Sequence, residues 1–134
     1  MTSPQLLFIH ALSPLHAGTG QSIGAIDLAI AQFTTATKHA PHLATAWMNL
    51  GAAYLEKKDW TRAEASLQRA LKLRPDFAAA YYHLAQVYEA RGENEQAKQY
   101  YHRAAELAPH TELGRHALEL ATGRRPHIYI AGER

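Results

Sequence analysis

The sequence contains no cysteine, so neither a disulfide framework nor a thiolate-ligated metal site can hold it together. It also lacks a long hydrophobic run. Leu6-Leu7-Phe8-Ile9 is too short to span a bilayer, has no basic residue before it and lies between Pro4 and Pro14, so neither a membrane segment nor a secretory signal is expected and the cytoplasm is the expected compartment. Charge is scarce at one end, because residues 1–43 carry only Asp27 and Lys38 as charged groups. Over the whole chain 14 Lys and Arg face 12 Asp and Glu, a formal net charge of +2. That balance gives no one-signed field of the kind nucleic acid attracts. At 134 residues the chain has room for one domain of about three helix pairs.

What is present is periodicity. Trp47, Leu50, Gly51, Tyr54, Ala63, Leu67, Ala70 and Pro75 are followed 34 residues later by Tyr81, Leu84, Ala85, Tyr88, Ala97, Tyr101, Ala104 and Pro109. Large positions stay large and small ones stay small. Small residues such as Gly51, Ala63 and Ala70 let two antiparallel helices approach closely, and the large ones fill the space around them. On these residues the chain resembles the tetratricopeptide repeat family. The resemblance implies an all-α, right-handed α-solenoid of antiparallel helix pairs, with repeats at 44–77 and 78–111 inside a repeat domain spanning 22–122. One hairpin cannot bury its apolar face alone, so the pairs must stack.

The helices expected along the chain are Ser22 to His39, Ala44 to Lys57, Trp60 to Leu73, Ala78 to Arg91 and Asn94 to Leu107. Asp59 is available to cap the third, Gly92 closes the turn before the fifth, and Pro75 and Pro109 stop the second helix of each pair. A C-terminal capping helix, Thr111 to Ala121, should lay Leu113, Ala117, Leu118 and Leu120 over the end of the second repeat, with Thr111 as cap and Gly123 as stop. Ala29, Phe33, Ala36 and Pro41 fall in register with Ala63, Leu67, Ala70 and Pro75, so Ser22 to His39 reads as the second helix of a preceding repeat. Its first helix is not recognisable, because Ser13, His16, Ala17 and Gly20 stand where Trp47, Leu50, Gly51 and Tyr54 stand one repeat later. Residues 1–21 form an atypical segment: Ser3 to about Leu12 reads as a short helix, although alternation in Leu7-Phe8-Ile9-His10-Ala11 also suits a strand. Leu6, Leu7, Ile9 and Leu12 are expected to pack on the following helix. The tail, 123–134, is expected to be extended or disordered.

The family resemblance implies that the first helix of each repeat lines a concave groove. Here that places Thr45, Met48, Asn49, Ala52 and Glu56 beside Ala79, Tyr82, His83, Gln86 and Glu89, with His116 and Leu120 added by the capping helix. Asn49 and His83 are equivalent positions and should sit side by side, suited to an extended peptide, with Met48 and Tyr82 giving adaptable apolar contact. Some relatives grip a C-terminal carboxylate with basic residues. Met48, Ala52, Ala79 and His83 stand at those positions here, so no such clamp is expected. His39 with His42, and His83 with His116, lack carboxylate or thiolate partners at metal-binding spacing, so neither metal nor cofactor is expected. No Ser, His and Asp constellation marks a catalytic site.

A second resemblance covers residues 6–30. Leu7-Phe8-Ile9-His10-Ala11-Leu12-Ser13-Pro14-Leu15-His16-Ala17-Gly18-Thr19-Gly20-Gln21, followed by Gly24-Ala25-Ile26-Asp27-Leu28, is similar to the opening of the repeat-forming RAMP backbone subunit of type III CRISPR effector complexes. That family implies an RRM-like fold, a grip on guide RNA, and an aspartate matching Asp27 that cleaves target RNA. The continuation Ala29-Ile30-Ala31-Gln32-Phe33 departs from it and reads as helix, so nuclease activity is not expected. Arg124, Arg125 and Tyr129 offer an RNA contact in the tail, a minor reading beside solvated arginines. The function expected from sequence is a non-catalytic protein-protein interaction module for a peptide or protein ligand, an accessory or inhibitor (anti-CRISPR) of a type III CRISPR effector being one such role. The alternative is an RNA-handling fragment related to the CRISPR backbone subunit.

Overall fold

The computed structural model describes residues 23–123. The expectations for residues 1–22, including the short N-terminal element, and for the tail from Arg124 onward lie outside them. The described residues form six helices and no strand: α1 Ile23–His39, α2 Ala44–Lys57, α3 Trp60–Leu73, α4 Ala78–Ala90, α5 Asn94–Leu107 and α6 Glu112–Thr122. Each helix packs on the next, and the first helices of successive pairs, α2 with α4 and α4 with α6, also touch. This is the layered hairpin solenoid that the 34-residue period implies, with helix boundaries within one residue of the expected ones.

Local chemistry sets those boundaries. Asp59 caps α3, its carboxylate accepting from the Arg62 backbone N–H at 3.2 Å, and Thr111 caps α6, its hydroxyl accepting from the Gly114 N–H at 3.0 Å. The turns inside the two hairpins need a left-handed residue. Gly92 supplies one at φ 83° and, one repeat earlier, Lys58 at φ 68°. The Lys58 N–H donates back to the Leu55 carbonyl at 2.9 Å, closing α2.

Packing then follows the repeat. Ala63, Leu67 and Ala70 on α3 are fully buried, as are Ala80, Leu84, Ala85 and Val87 or nearly so on α4. A β-carbon built on Gly51 would lie 2.6 Å from Leu67 Cγ and 3.3 Å from the Ala63 carbonyl oxygen, so α2 crosses α3 where no side chain fits between them. Ala63→Leu and Ala97→Leu should therefore each destabilise by about 1–3 kcal/mol, since overpacking a close crossing forces the helices apart. Thermal melts check this, and unchanged midpoints for both would disprove the crossing. Between the repeats, the Tyr88 hydroxyl donates to Glu64 at 2.6 Å and Arg91 pairs with the same carboxylate at 2.8 Å. The Tyr88 bond, then Arg91, hold Glu64 below the usual carboxylate range, and Glu64 pushes the Tyr88 phenol up.

The two ends differ from the middle. Helix α1 has 17 residues where α3 and α5 have 14. It begins three residues ahead of the repeat register, so its first turn replaces the interhelical turn that Lys58-Asp59 makes one repeat later. At the other end, Ala117 of α6 is fully buried, and Leu113 and Leu120 pack against the same cluster. Leu118, expected on that covering face, is instead 46% exposed. At 100° per residue it points about 100° away from Ala117, while Leu113 and Leu120 both fall within about 60° of Ala117 on its other side.

Candidate functional site

A cavity of about 840 Å³ opens between α1, α2 and α4. Its walls hold six of the expected groove residues, Asn49, Ala52 and Glu56 from α2 and His83, Gln86 and Glu89 from α4. Helix geometry explains the selection: Asn49, Ala52 and Glu56, like His83, Gln86 and Glu89, are spaced three or four apart and so form one face on each helix. Met48 and Ala79 instead pack against the core cluster around Leu67 and Leu84, and Thr45 is exposed outside the cavity lining.

Tyr82 and His116 form a separate aromatic group further along the same face. Tyr82 lies 5.5 Å from the Tyr101 ring edge to face, and 5.9 Å from the ring of His116. Burial and the nearby Glu89 raise the Tyr82 phenol pKa. Glu89 itself accepts a 2.8 Å bond from the Tyr101 hydroxyl, so its carboxylate is anchored to α5 while it lines the cavity. Leu120 of α6 packs, partly buried, against the core cluster that contains Tyr101, as Tyr82 does.

His83 is the polar centre of the cavity. Its Nδ1 lies 2.9 Å from the Gln86 amide oxygen, which leaves Nε2 of the neutral ring as an acceptor. Burial lowers its pKa below the ordinary histidine value, opposed in part by the Gln86 bond. A histidine kept neutral in the fold takes up a proton more readily when unfolded, so stability should fall as pH drops below about 6.5 and level off below the folded pKa. We expect the melting midpoint of His83→Gln to be less sensitive to pH across that window than that of the parent; identical pH profiles would count against the buried neutral ring.

Among the lining residues outside the expected groove set, Ala29 and Phe33 come from α1. Their repeat equivalents Ala63 and Leu67 have no exposure at all, whereas Ala29 and Phe33 are only half-buried. The signal was present in the register, which puts them at core positions without a recognisable first helix to cover them. Asp27, which the CRISPR resemblance casts as an RNA-cleaving group, sits on α1 and pairs with Lys57 at the end of α2. Both side chains of that pair are about half exposed, an environment in which an ion pair contributes little. Among the described residues no three histidine, aspartate or glutamate side chains come together as a metal site, and no helix is long and apolar enough to cross a membrane.

Two tetratricopeptide-repeat profiles match the chain, over residues 23–71 and 55–119. No curated protein matches it. Among solved structures, MamA is similar at 29% identity and a TM-score of 0.64, covering 75% of this chain and 59% of its own. An O-GlcNAc transferase of Thermobaculum terrenum is 29% identical with a TM-score of 0.66, covering 90% of this chain and 23% of its own. The present chain thus spans about three fifths of the one and under a quarter of the other. The first tetratricopeptide domain of Spaghetti (RPAP3), solved with the HSP90 peptide SRMEEVD, is 23% identical, covers 92% of this chain and 94% of its own, and has a TM-score of 0.66; at that identity the likeness is one of fold. None of these findings carries the CRISPR resemblance of residues 6–30. Repeat register, helix order and relatives converge: the chain is an all-α solenoid built of tetratricopeptide repeats.

Proposed function

We propose that this chain is a non-catalytic protein-interaction module, acting in the cytoplasm, that takes a peptide segment of a protein partner in the cavity between α1, α2 and α4. The observation that carries this reading is that polar groups from equivalent positions, Asn49 of α2 and His83 of α4, both line an otherwise largely apolar cavity of about 840 Å³. An amide and a neutral imidazole can each bond a peptide backbone, and Phe33, Ala52 and Ala53 offer apolar contact to side chains. Glu56 and Glu89 line the cavity with Lys58 as its one basic residue. That charge favours a neutral or basic peptide over an acidic carboxylate terminus.

The test is binding of a partner captured from lysate with the full chain, type III CRISPR effector subunits included in the screen. Asn49→Ala combined with His83→Ala should weaken that binding about tenfold or more and leave helicity nearly unchanged. Binding that survives the double change would remove the cavity as the working surface. Capture of a CRISPR effector subunit would give the resemblance of residues 6–30 a function.

A further inference from the structure

The open side of α1 is shaped for one more helix. In the next repeat, the face carrying Ala63 and Leu67 is completely covered by α2, which crosses it at Gly51. The equivalent face of α1, carrying Ala29 and Phe33, lines the cavity instead, and the one helix packed substantially on α1 among the described residues is α2. We propose that the apolar stretch Leu6–Leu12 of this same chain seats on that face, completing the first repeat in cis.

Three observations select this occupant over another copy of the chain. First, the only described helix in first-helix register at a solenoid end is α6, and it carries Glu119 at the position where Gly51 and Ala85 stand. Seated on the face of Ala29 and Phe33, that glutamate would bring its charge against apolar side chains, and burying it there is costly. Second, residues 1–22 contain no Asp, Glu, Lys or Arg, so seating them on Ala29 and Phe33 desolvates no charge, and Ala11 supplies a small residue flanked by Leu7, Phe8 and Leu12. Third, the chain reaches. Gly51 and Ala63 are 12 residues apart, Ala11 and Ala29 are 18 apart, so the connection through Gly18-Thr19-Gly20 is longer than the one the next repeat uses. Direct linkage to α1 also gives the segment an effective concentration on the order of millimolar at that face. The seating does not depend on the cavity binding a peptide; because Ala29 and Phe33 belong to the same cavity lining, a partner peptide that uses Phe33 would compete with this segment for it.

The absence of cysteine allows a clean test in the full-length chain. A nitroxide on Glu56→Cys, at the rim of the cavity, should broaden the backbone amide signals of residues 6–12 in isotope-labelled protein, and Phe33→Asp in the same chain should relieve most of that broadening. Phe33 lies outside both core clusters, so this second change leaves the repeats folded. Absence of broadening would overturn the proposal, as would broadening that persists in Phe33→Asp. Broadening seen only when the nitroxide is on an unlabelled copy mixed with labelled chain would assign the face to a second molecule and overturn the cis arrangement.

Discussion

Gly114→Ala is expected to destabilise the protein by about 3 kcal/mol, the upper part of the range for overpacking. A β-carbon at Gly114 would fall 1.7 Å from the Ala108 carbonyl oxygen and 2.7 Å from its carbon, a collision with backbone that no rotamer change relieves. The same carbonyl accepts from the Thr111 hydroxyl at 2.8 Å and from the Thr111 N–H at 3.2 Å, while the Thr111 hydroxyl caps α6 at Gly114. The substitution thus breaks the cap as it pushes α6 off α5, uncovering Tyr101, Ala104 and Ala105, which are buried in the cluster that Ala117 completes. For a domain of this size such a loss lowers the melting midpoint by more than 10 °C, at about 4 °C or more per kcal/mol. A melt matching the parent would mean that α6 does not dock through Gly114.

Leu67→Ala should cost about 2–5 kcal/mol, because Leu67 has no exposure and the surrounding backbone cannot collapse into the space left behind. Gly51 already lies in contact with Leu67, and Ala63, Ala70 and Leu84 around it are equally buried. Phe33→Ala provides an internal comparison, for it removes a larger side chain at the same register position one repeat earlier. Left half-buried at the cavity edge, Phe33 would lose only a fraction of what Leu67 loses; with Leu6–Leu12 seated on it, as proposed above, its loss should approach that of Leu67. Denaturant unfolding of the two variants decides the point, and equal losses would show α1 to be covered as thoroughly as α3.

Much of this molecule was legible without coordinates. The 34-residue spacing of Trp47, Gly51, Ala63 and Pro75 with Tyr81, Ala85, Ala97 and Pro109 determined the helix pairs, their order and their close crossings, because small residues recurring at fixed spacing have few other packing uses. Asp59, Thr111 and Gly123 marked helix ends, since capping is satisfied within four residues and so is written locally. Asn49, Ala52 and Glu56 could be placed on one face with His83, Gln86 and Glu89 because equivalent positions in stacked repeats must neighbour one another.

Only the tertiary structure decided which of the remaining side chains reach the cavity. Met48 and Ala79 pack, half-buried, against the core, Leu118 turns out to water, Tyr82 joins His116 and Tyr101 in an aromatic group, and Glu89 is held by a tyrosine from another helix. These outcomes depend on the angle at which neighbouring hairpins stack, which a few degrees of rotation can alter and which no spacing records. Ala29 and Phe33 show the division most plainly. Their register assigned them to a core, but their exposure was fixed by which helix lies against α1, a contact between elements distant in the chain rather than a property of the residues themselves.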